Sequence, residues 1–140
     1  MTKLVETVDV TGWPRPKGYA NGTITHAPTL FVAGQVGWVP GGRFEKKDLV
    51  GQFDQALANV IAIVRAAGGA PEHVASMRVY VTDLDAYRTS LTGIGEAWKK
   101  HLGRHFPAMA LVGVTGLVEK EAVVEIEAVA ALPPREEKPT

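Results

Sequence analysis

The sequence predicts one α+β domain in which two helices pack on one face of a mixed sheet of about six strands. Three observations support this prediction. The chain has 140 residues, 46% of them hydrophobic, which is enough for one core but not for two domains. Two segments show helical spacing of apolar residues, and shorter segments around them are β-prone. We assign residues 1–132 to a single domain and residues 133–140, which are polar and proline-rich, to a mobile tail.

The first strands are predicted from two β-prone runs near the N-terminus, residues 23–26 and 29–33. The Ala27-Pro28 pair between them is typical of a turn, so the two runs are expected to form a hairpin. Residues 34–42 are rich in glycine and include a Pro-Gly-Gly turn, and this stretch is predicted to be a loop.

The first helix is predicted from apolar residues spaced three and four apart. It opens at Asp48 and ends at Gly68 and Gly69, because glycine is favoured just beyond a helix C-terminus. One stripe of the helix is apolar and must be buried: Leu49, Phe53, Leu57, Val60, Ile61 and Val64.

The second helix has the same spacing. Asp83 or Asp85 can cap it, Gly103 ends it, and its stripe consists of Tyr87, Leu91, Ile94, Trp98 and Leu102. The remaining strands are predicted from alternating apolar residues at 73–82, 109–115 and 122–131. Because both helices bury one stripe, they are expected to lie side by side on one sheet face.

The last predicted strand is largely apolar on both sides. One side carries Val123, Glu125, Glu127, Val129 and Ala131, and the other carries Val124, Ile126, Ala128 and Ala130. A sheet with helices on only one face should not be apolar on both. The pattern therefore predicts an oligomer that covers the second face.

Composition argues against several classes of function. Lysine plus arginine and aspartate plus glutamate each number 15, so the formal net charge is zero and no nucleic-acid partner is expected. The absence of cysteine excludes disulfides and thiolate catalysis. The N-terminal segment lacks a signal-peptide pattern, and no window approaches the roughly 18 apolar residues of a membrane span. A cytoplasmic location without a membrane partner is predicted.

No cofactor and no metal site are predicted from the sequence. His101 and His105 are spaced as two ligands on one helix can be, but Gly103 lies between them and no third ligand is evident. The glycine-rich stretch GQVGWVPGG lacks the spacing of a phosphate-binding loop, so its glycines are interpreted as turn formers.

Six segments, taken in order, resemble the Rid family (YjgF/YER057c/UK114). They are PKGYANG, LFVAGQVG, FDQALANVIAIVRAAGG, VYVTDLDAY, FPAMALVGV and VEIEAVAAL, and they span nearly the whole chain. The resemblance implies a chorismate mutase-like fold, a homotrimer whose sheets line a central barrel, with helices outside and clefts for a small-molecule ligand between subunits. It also implies hydrolysis of an enamine or imine, the activity of the best-known members.

The resemblance assigns roles to particular residues. Glu125 matches the glutamate that positions the attacking water and is the expected catalytic residue. Tyr19 matches a cleft tyrosine, whereas Ala33 and Thr92 stand where family members have a serine and an asparagine. The implied substrate-binding set, with the amides of positions 34 and 35 as donors, is Tyr19, Ala33, Gly34, Gln35, Thr92, Met109 and Leu111.

Met109 stands where the deaminases of this family carry the arginine that binds the substrate carboxylate. A thioether cannot form that bidentate ion pair, and leaving a desolvated carboxylate unpaired costs about 2–5 kcal/mol. Deamination of 2-aminoacrylate is therefore expected to be weak or absent, unless another cation enters the cleft. The candidate cations are Arg15, Arg43, Arg78, Arg104 and Lys120.

Three functions remain open from the sequence. The first is a hydrolytic deaminase of an enamine or imine other than 2-aminoacrylate, such as a larger and flatter aminomuconate-like substrate. The second is a small-molecule-binding or regulatory trimer without turnover, in which Glu125 is a solvated carboxylate like Glu127. The third, endoribonuclease, is a label attached to the family and receives little support from a net charge of zero.

Overall fold

The computed structural model describes residues 3–134; residues 1–2 and most of the predicted tail, residues 135–140, lie outside the described residues. Five of the six strands were predicted, with shifts of a few residues at their ends, but the strand at Val5–Val8 was not predicted. In chain order the strands and helices are β1 Val5–Val8, β2 Gly22–Thr25, β3 Thr29–Val36, α1 Leu49–Ala66, β4 Val74–Val81, α2 Leu84–Thr89, α3 Leu91–Leu102, β5 Ala108–Gly113 and β6 Val124–Ala131.

The six described strands form two sheets, not the single sheet of about six strands that the sequence predicted. Four strands form a mixed sheet in the order β3-β6-β4-β5, and β1 and β2 form a separate antiparallel pair. Within the mixed sheet, β4 and β5 run parallel to each other, and both β3 and β4 run antiparallel to β6. The mixed α+β architecture is confirmed.

The predicted hairpin between residues 23–26 and 29–33 is wrong. Strand β2 pairs with β1, and β3 pairs with β6, so the turn at Pro28 carries the chain from one sheet to the other. The Pro28 carbonyl accepts a hydrogen bond from the Leu132 amide (2.9 Å), which fixes this crossing. A local turn signal does not decide strand pairing when a distant strand supplies the better partner.

Strand β3 continues three residues into the stretch that was predicted to be loop. It ends at Val36, so Gly34, Gln35 and Val36 belong to the strand. The register against β6 shifts between Val32 and Gln35, which marks a bulge. Glycine is common at such irregularities because it tolerates the altered backbone and leaves room above it.

The helices pack on one sheet face, as predicted. Asp48 caps α1 by accepting a hydrogen bond from the Gly51 amide (3.0 Å). The predicted second helix is two helices, because the chain breaks at Ser90 between α2 and α3. The shared core combines the α1 stripe, residues of α3 and the sheet residues beneath them: Leu57, Val60, Val64, Ile94, Trp98, Met77, Val79, Val124 and Ile126. No helix among residues 3–134 is long and apolar enough to cross a membrane.

The other side of the four-stranded sheet, here called the helix-free face, is more polar than predicted. On β6 the core side is fully buried, whereas Glu125, Glu127 and Val129 are only partly covered. Ala131 was assigned to this open side but is buried. The helix-free face also exposes large apolar groups, including Phe31 on β3, whose relative exposure is 77%.

Candidate functional site

Glu125 lies directly against Gly34, across the β3–β6 ladder. A Cβ atom placed on Gly34 would come within 2.9 Å of the Glu125 Cδ atom and 3.1 Å of its Oε1 atom. At the β3 bulge, the Glu125 carboxylate therefore packs directly on the Gly34 backbone, and the side chain of any larger residue at position 34 would displace it. Two residues that the family resemblance grouped, one from each strand, are in contact in the structure.

Glu125 and Glu127 lie on the helix-free face, but only Glu127 has side-chain partners within the described residues. Glu127 accepts a hydrogen bond from the Tyr80 hydroxyl (2.5 Å) and lies 3.9 Å from Arg78. The hydrogen bond to Glu127, aided by burial, raises the pKa of Tyr80 above its usual value of 10.0. By contrast, Glu125 forms no hydrogen bond or ion pair with another side chain within the described residues. Its carboxylate remains available for a ligand or water.

Ala33 and Gln35 lie beside Gly34 in the β3 bulge. The Gln35 side-chain amide donates a hydrogen bond to the Ala33 carbonyl (3.0 Å), so this side chain folds back on its own strand. Ala33 lines a shallow cavity of about 390 Å³ on the helix-free face, together with Phe31 and Glu127. The structure thus brings together four predicted site residues: Ala33, Gly34, Gln35 and Glu125.

Met109 and Leu111 lie on the opposite side of the sheet. They line a cavity of about 410 Å³ between α3 and β5, here called the apolar cavity. One wall is aromatic, since the rings of Trp98 and Phe106 are stacked with centroids 5.9 Å apart and 4° between their planes. The other lining residues are Gly18, Phe53, Val79, Tyr87, Leu91, Ile94, Gly95, Lys99, Gly103 and Arg104.

Tyr19 belongs to a third cavity, of about 690 Å³, which adjoins the apolar cavity and is here called the rim cavity. Its walls are the segment before β2, with exposed Trp13, and the connection between α3 and β5. The segment is docked onto β5, because the Ala20 amide donates to the Pro107 carbonyl (2.9 Å) and Ala20 bridges to Ala108. The rim and apolar cavities share Gly18, Arg104 and Phe106.

Thr92 is not brought into either group. It is the second residue of α3, its side chain is exposed, and it lines none of these three cavities. Thr92 carries a shorter polar group than the asparagine that the family resemblance implies at this position. Its predicted role in substrate binding gains no support from the geometry.

The predicted site is split by the sheet. Strand parity explains the division: Met109 pairs with Met77 on the helix side, whereas Glu125 pairs with Tyr80 on the helix-free face. Within one copy of the chain, Met109 and Glu125 therefore face away from each other. A site that uses both must take them from two copies.

Comparison with known proteins agrees with this architecture. A Rid-family protein of Yersinia pestis, YyfB, is 29% identical in sequence and has a TM-score of 0.82, with 93% of this chain and 100% of that chain covered. Residues 14–132 match the family described as Endoribonuclease L-PSP. The chain belongs to the Rid family.

Two further relatives each match more than two thirds of this Rid chain. A RutC family protein of Pyrococcus horikoshii is 33% identical over 118 residues, covering 84% of this chain and 90% of the relative. The human protein named 2-iminobutanoate/2-iminopropanoate deaminase is 32% identical over 103 residues, covering 73% of this chain and 72% of the relative.

The candidate cations of this Rid chain are sorted by their positions. Arg43 pairs with Glu45 (2.8 Å) away from the three cavities, and Arg78 lies on the helix-free face beside Glu127. Lys120 lines none of the three cavities. Arg15 and Arg104 both line the rim cavity, and Arg104 also lines the apolar cavity.

The two histidines that had metal-ligand spacing are engaged elsewhere. His101 bonds to Asp54 (2.6 Å), and His105 bonds to the Val74 carbonyl (2.6 Å). Burial acts to raise the pKa of Asp54, but its hydrogen bonds with His101 and Lys100 lower that pKa overall. No group of metal-binding side chains occurs within residues 3–134.

The sequence did not identify the aromatic wall or Trp13 as part of a site. Trp98 was predicted only as a core residue of the second helix, and Phe106 was noted only within a family motif. One local signal could have indicated this part of the site. Gly103 ends the helix, and Arg104, His105 and Phe106 follow it, so a cation and an aromatic ring are close in sequence. Contact with the segment that contains Trp13 depends on a bridge between Ala20 and Ala108, which no local pattern predicts.

Proposed function

We propose that this Rid protein is a hydrolytic deaminase of an enamine or imine other than 2-aminoacrylate. In such a reaction water adds to the carbon of the C=N bond, the tetrahedral adduct loses ammonia, and a carbonyl compound is left. The human relative, 32% identical, is named as a deaminase of this chemical class, which supports the reaction type. The chemistry needs a positioned water, a group that moves protons and a surface that orients the substrate.

The observation that carries the proposal is the setting of Glu125. Its carboxylate lies over the backbone of Gly34 and has no competing side-chain partner within the described residues, unlike Glu127, which Tyr80 holds. A carboxylate of this kind can take a proton from the attacking water and return it to the departing nitrogen. General acid–base catalysis by such a group contributes about 10²–10⁴-fold to a rate.

The substrate surface is supplied, in this proposal, by the apolar cavity of a second copy. Since the sheet separates Met109 from Glu125 within one copy, a complete site combines the apolar cavity of one subunit with the Glu125 of its neighbour. A homotrimer with clefts between subunits, as the family resemblance implies, meets this requirement. The exposed apolar groups on the helix-free face, including Phe31 and Val112, support association through that face.

Met109 determines which substrates fit the proposed site. A thioether beside Trp98, Phe106 and Leu111 offers contact with a flat hydrocarbon but no ion pair for a carboxylate at the reacting carbon. The cavity therefore suits an extended conjugated enamine, of which an aminomuconate-like compound is one example. Small imines derived from amino acids would lack an ion pair at position 109 to fix their orientation in the site.

The decisive experiment is ammonia release from a panel of generated imines and enamines, with Glu125→Gln compared against Glu127→Gln. The two glutamates are two residues apart on the same face of β6, so the second variant controls for loss of charge on that face. We expect Glu125→Gln to lower turnover by about 10²–10⁴-fold. Glu127→Gln should retain most of the activity. Equal turnover in wild type and Glu125→Gln would refute the proposed role.

A non-catalytic small-molecule binder is the second candidate, and the apolar character of the Met109 cavity favours it. Such a protein would show a rise in melting temperature with carboxylates or enamines but would leave them unchanged. Mass analysis of the ligand after incubation separates the two functions. Ribonuclease activity, which the family's description names, is not proposed, because a net charge of zero provides no overall electrostatic attraction to RNA.

A further inference from the structure

Two arginines of the rim cavity carry charges that no described acidic side chain pairs with. Arg15 and Arg104 line the rim cavity, and neither forms an ion pair or a side-chain hydrogen bond with any residue from 3 to 134. Among residues 3–134, the only acidic residue lining this cavity is Asp9. The rim cavity therefore has an excess of positive charge, in a chain whose net charge is zero.

The backbone around Arg104 is held in place on both sides. Gly103 ends α3 with a positive φ of 61°, a conformation that favours glycine. The Trp98 indole donates to the His105 carbonyl (3.1 Å), and the His105 ring bonds to the Val74 carbonyl (2.6 Å). The Arg104 side chain thus emerges from a fixed point at the junction of the two cavities.

The aromatic wall links this cation to the apolar cavity. Phe106 lines both cavities and stacks on Trp98, which belongs to the apolar cavity together with Met109. Exposed Trp13 also lines the rim cavity and adds a second aromatic ring. A ligand that occupies both cavities would meet aromatic faces along its length and a guanidinium where the two cavities join.

We propose that Arg104, with Arg15 beside it, binds the carboxylate of a planar conjugated acid whose hydrocarbon part lies against Phe106 and Met109. This assignment rests on the proposed function, for which it names the substrate class. The acid group is held at the rim, and the carbon that reacts is separated from it by the conjugated chain. Imines with the carboxylate on the reacting carbon have no cation at position 109 and are poor ligands.

The test measures binding of two nearly identical probes by calorimetry: 2,4-hexadienoate and its neutral analogue 2,4-hexadienamide. Both are flat and of similar length, so the ratio of their dissociation constants reports on recognition of the carboxylate. We expect the wild-type protein to prefer the acid by about tenfold or more, as a charge-assisted hydrogen bond predicts. In Arg104→Gln the ratio should fall to about one.

Matched variants make the assignment specific. Arg15→Gln should give an intermediate ratio, and Arg88→Gln, which removes an exposed arginine of α2 outside the three cavities, should keep the wild-type ratio. Added salt should weaken acid binding by the wild type more than by Arg104→Gln. Circular dichroism verifies that each variant is folded.

Two results would overturn the assignment: no preference for the acid in the wild type, or an undiminished preference in folded Arg104→Gln. These results are independent of turnover. If no imine is hydrolysed but the preference depends on Arg104, the deaminase proposal fails and the carboxylate site stands. If Glu125→Gln abolishes turnover while Arg104→Gln changes neither the preference nor KM, the deaminase stands and the carboxylate site fails.

Discussion

The two faces of the four-stranded sheet differ in chemistry although alternate residues of the same strands build them. The helix-free face carries a carboxylate, Glu125, that no other described side chain engages. The helix side carries an apolar cavity, which Met109 lines together with aromatic residues. The proposed function places proton transfer and substrate orientation on opposite faces, so it requires that copies of the chain associate. An enzyme of this kind would be inactive as a monomer.

Met109→Arg gives the sharpest test of this division and the largest expected effect. Restoring a guanidinium should allow a carboxylate at the reacting carbon to bind, so deamination of 2-aminoacrylate should rise by roughly 30-fold or more, as about 2–5 kcal/mol of lost pairing implies. Ammonia release from the enzymatically generated substrate measures the gain. Met109→Leu, which keeps the size and apolar character, should show none.

Two outcomes would contradict this account of position 109. Wild-type turnover of 2-aminoacrylate comparable to that of an arginine-bearing relative would show that another group already binds the carboxylate. A folded Met109→Arg variant without any gain would show that the rest of the cleft cannot use such a substrate. Melting temperature and oligomeric state, measured for both variants, separate this result from simple misfolding.

Two glycines, one in β3 and one just after it, test whether the placement of Glu125 on the helix-free face matters for turnover. The expected effect is smaller than that of Met109→Arg. At Gly34 an added Cβ meets the flexible Glu125 side chain at 2.9 Å, whereas at Gly37 it meets the Gln52 backbone at 2.6 Å. Gly34→Ala should leave the melting temperature nearly unchanged but lower turnover roughly 10- to 100-fold by moving the carboxylate. Gly37→Ala should destabilise the fold by about 1–3 kcal/mol.

Two outcomes would contradict the prediction for Gly34→Ala. If Gly34→Ala retains full turnover, the seat of Glu125 on the β3 backbone is irrelevant to catalysis. If it instead unfolds the protein as Gly37→Ala is expected to do, the position is structural. Thermal melts and ammonia release on the same preparations distinguish these cases.

Sequence patterns predicted the helices and most strands because the helix periodicity is local and strong. The stripe containing Leu57, Val60 and Val64 is buried as expected. The pairing of β2 and β3 was mispredicted, because the partner of β3 lies about a hundred residues away and the turn at Pro28 carries no information about it. Non-local pairing decides sheet order, and single-sequence patterns report only local preference.

The site was predicted in part for the same reason. Family motifs selected Glu125 and Gly34 without predicting that they touch. The opposite orientations of Met109 and Glu125 follow only from the registers of β5 and β6 against β4. The position of Arg104 beside the apolar cavity was one of five options that the sequence left open. Choosing among them requires the docking of the N-terminal segment onto β5, a contact between parts of the chain about ninety residues apart.

The smallest predicted effect concerns Tyr80, whose hydroxyl donates to Glu127 on the helix-free face. Because the folded-state pKa of Tyr80 is raised above 10.0, the native state holds this proton more tightly than the unfolded chain does. The resulting stabilisation is complete below pH 10 and is lost as the pH rises through the folded-state pKa. Wild-type stability should therefore fall in this alkaline range, whereas Tyr80→Phe should lack that component. Denaturant unfolding at several pH values compares the two proteins. If the free energy of unfolding falls equally with pH above 10 in both, the Tyr80–Glu127 hydrogen bond does not form in solution. Glu127 would then be as free of side-chain partners as Glu125.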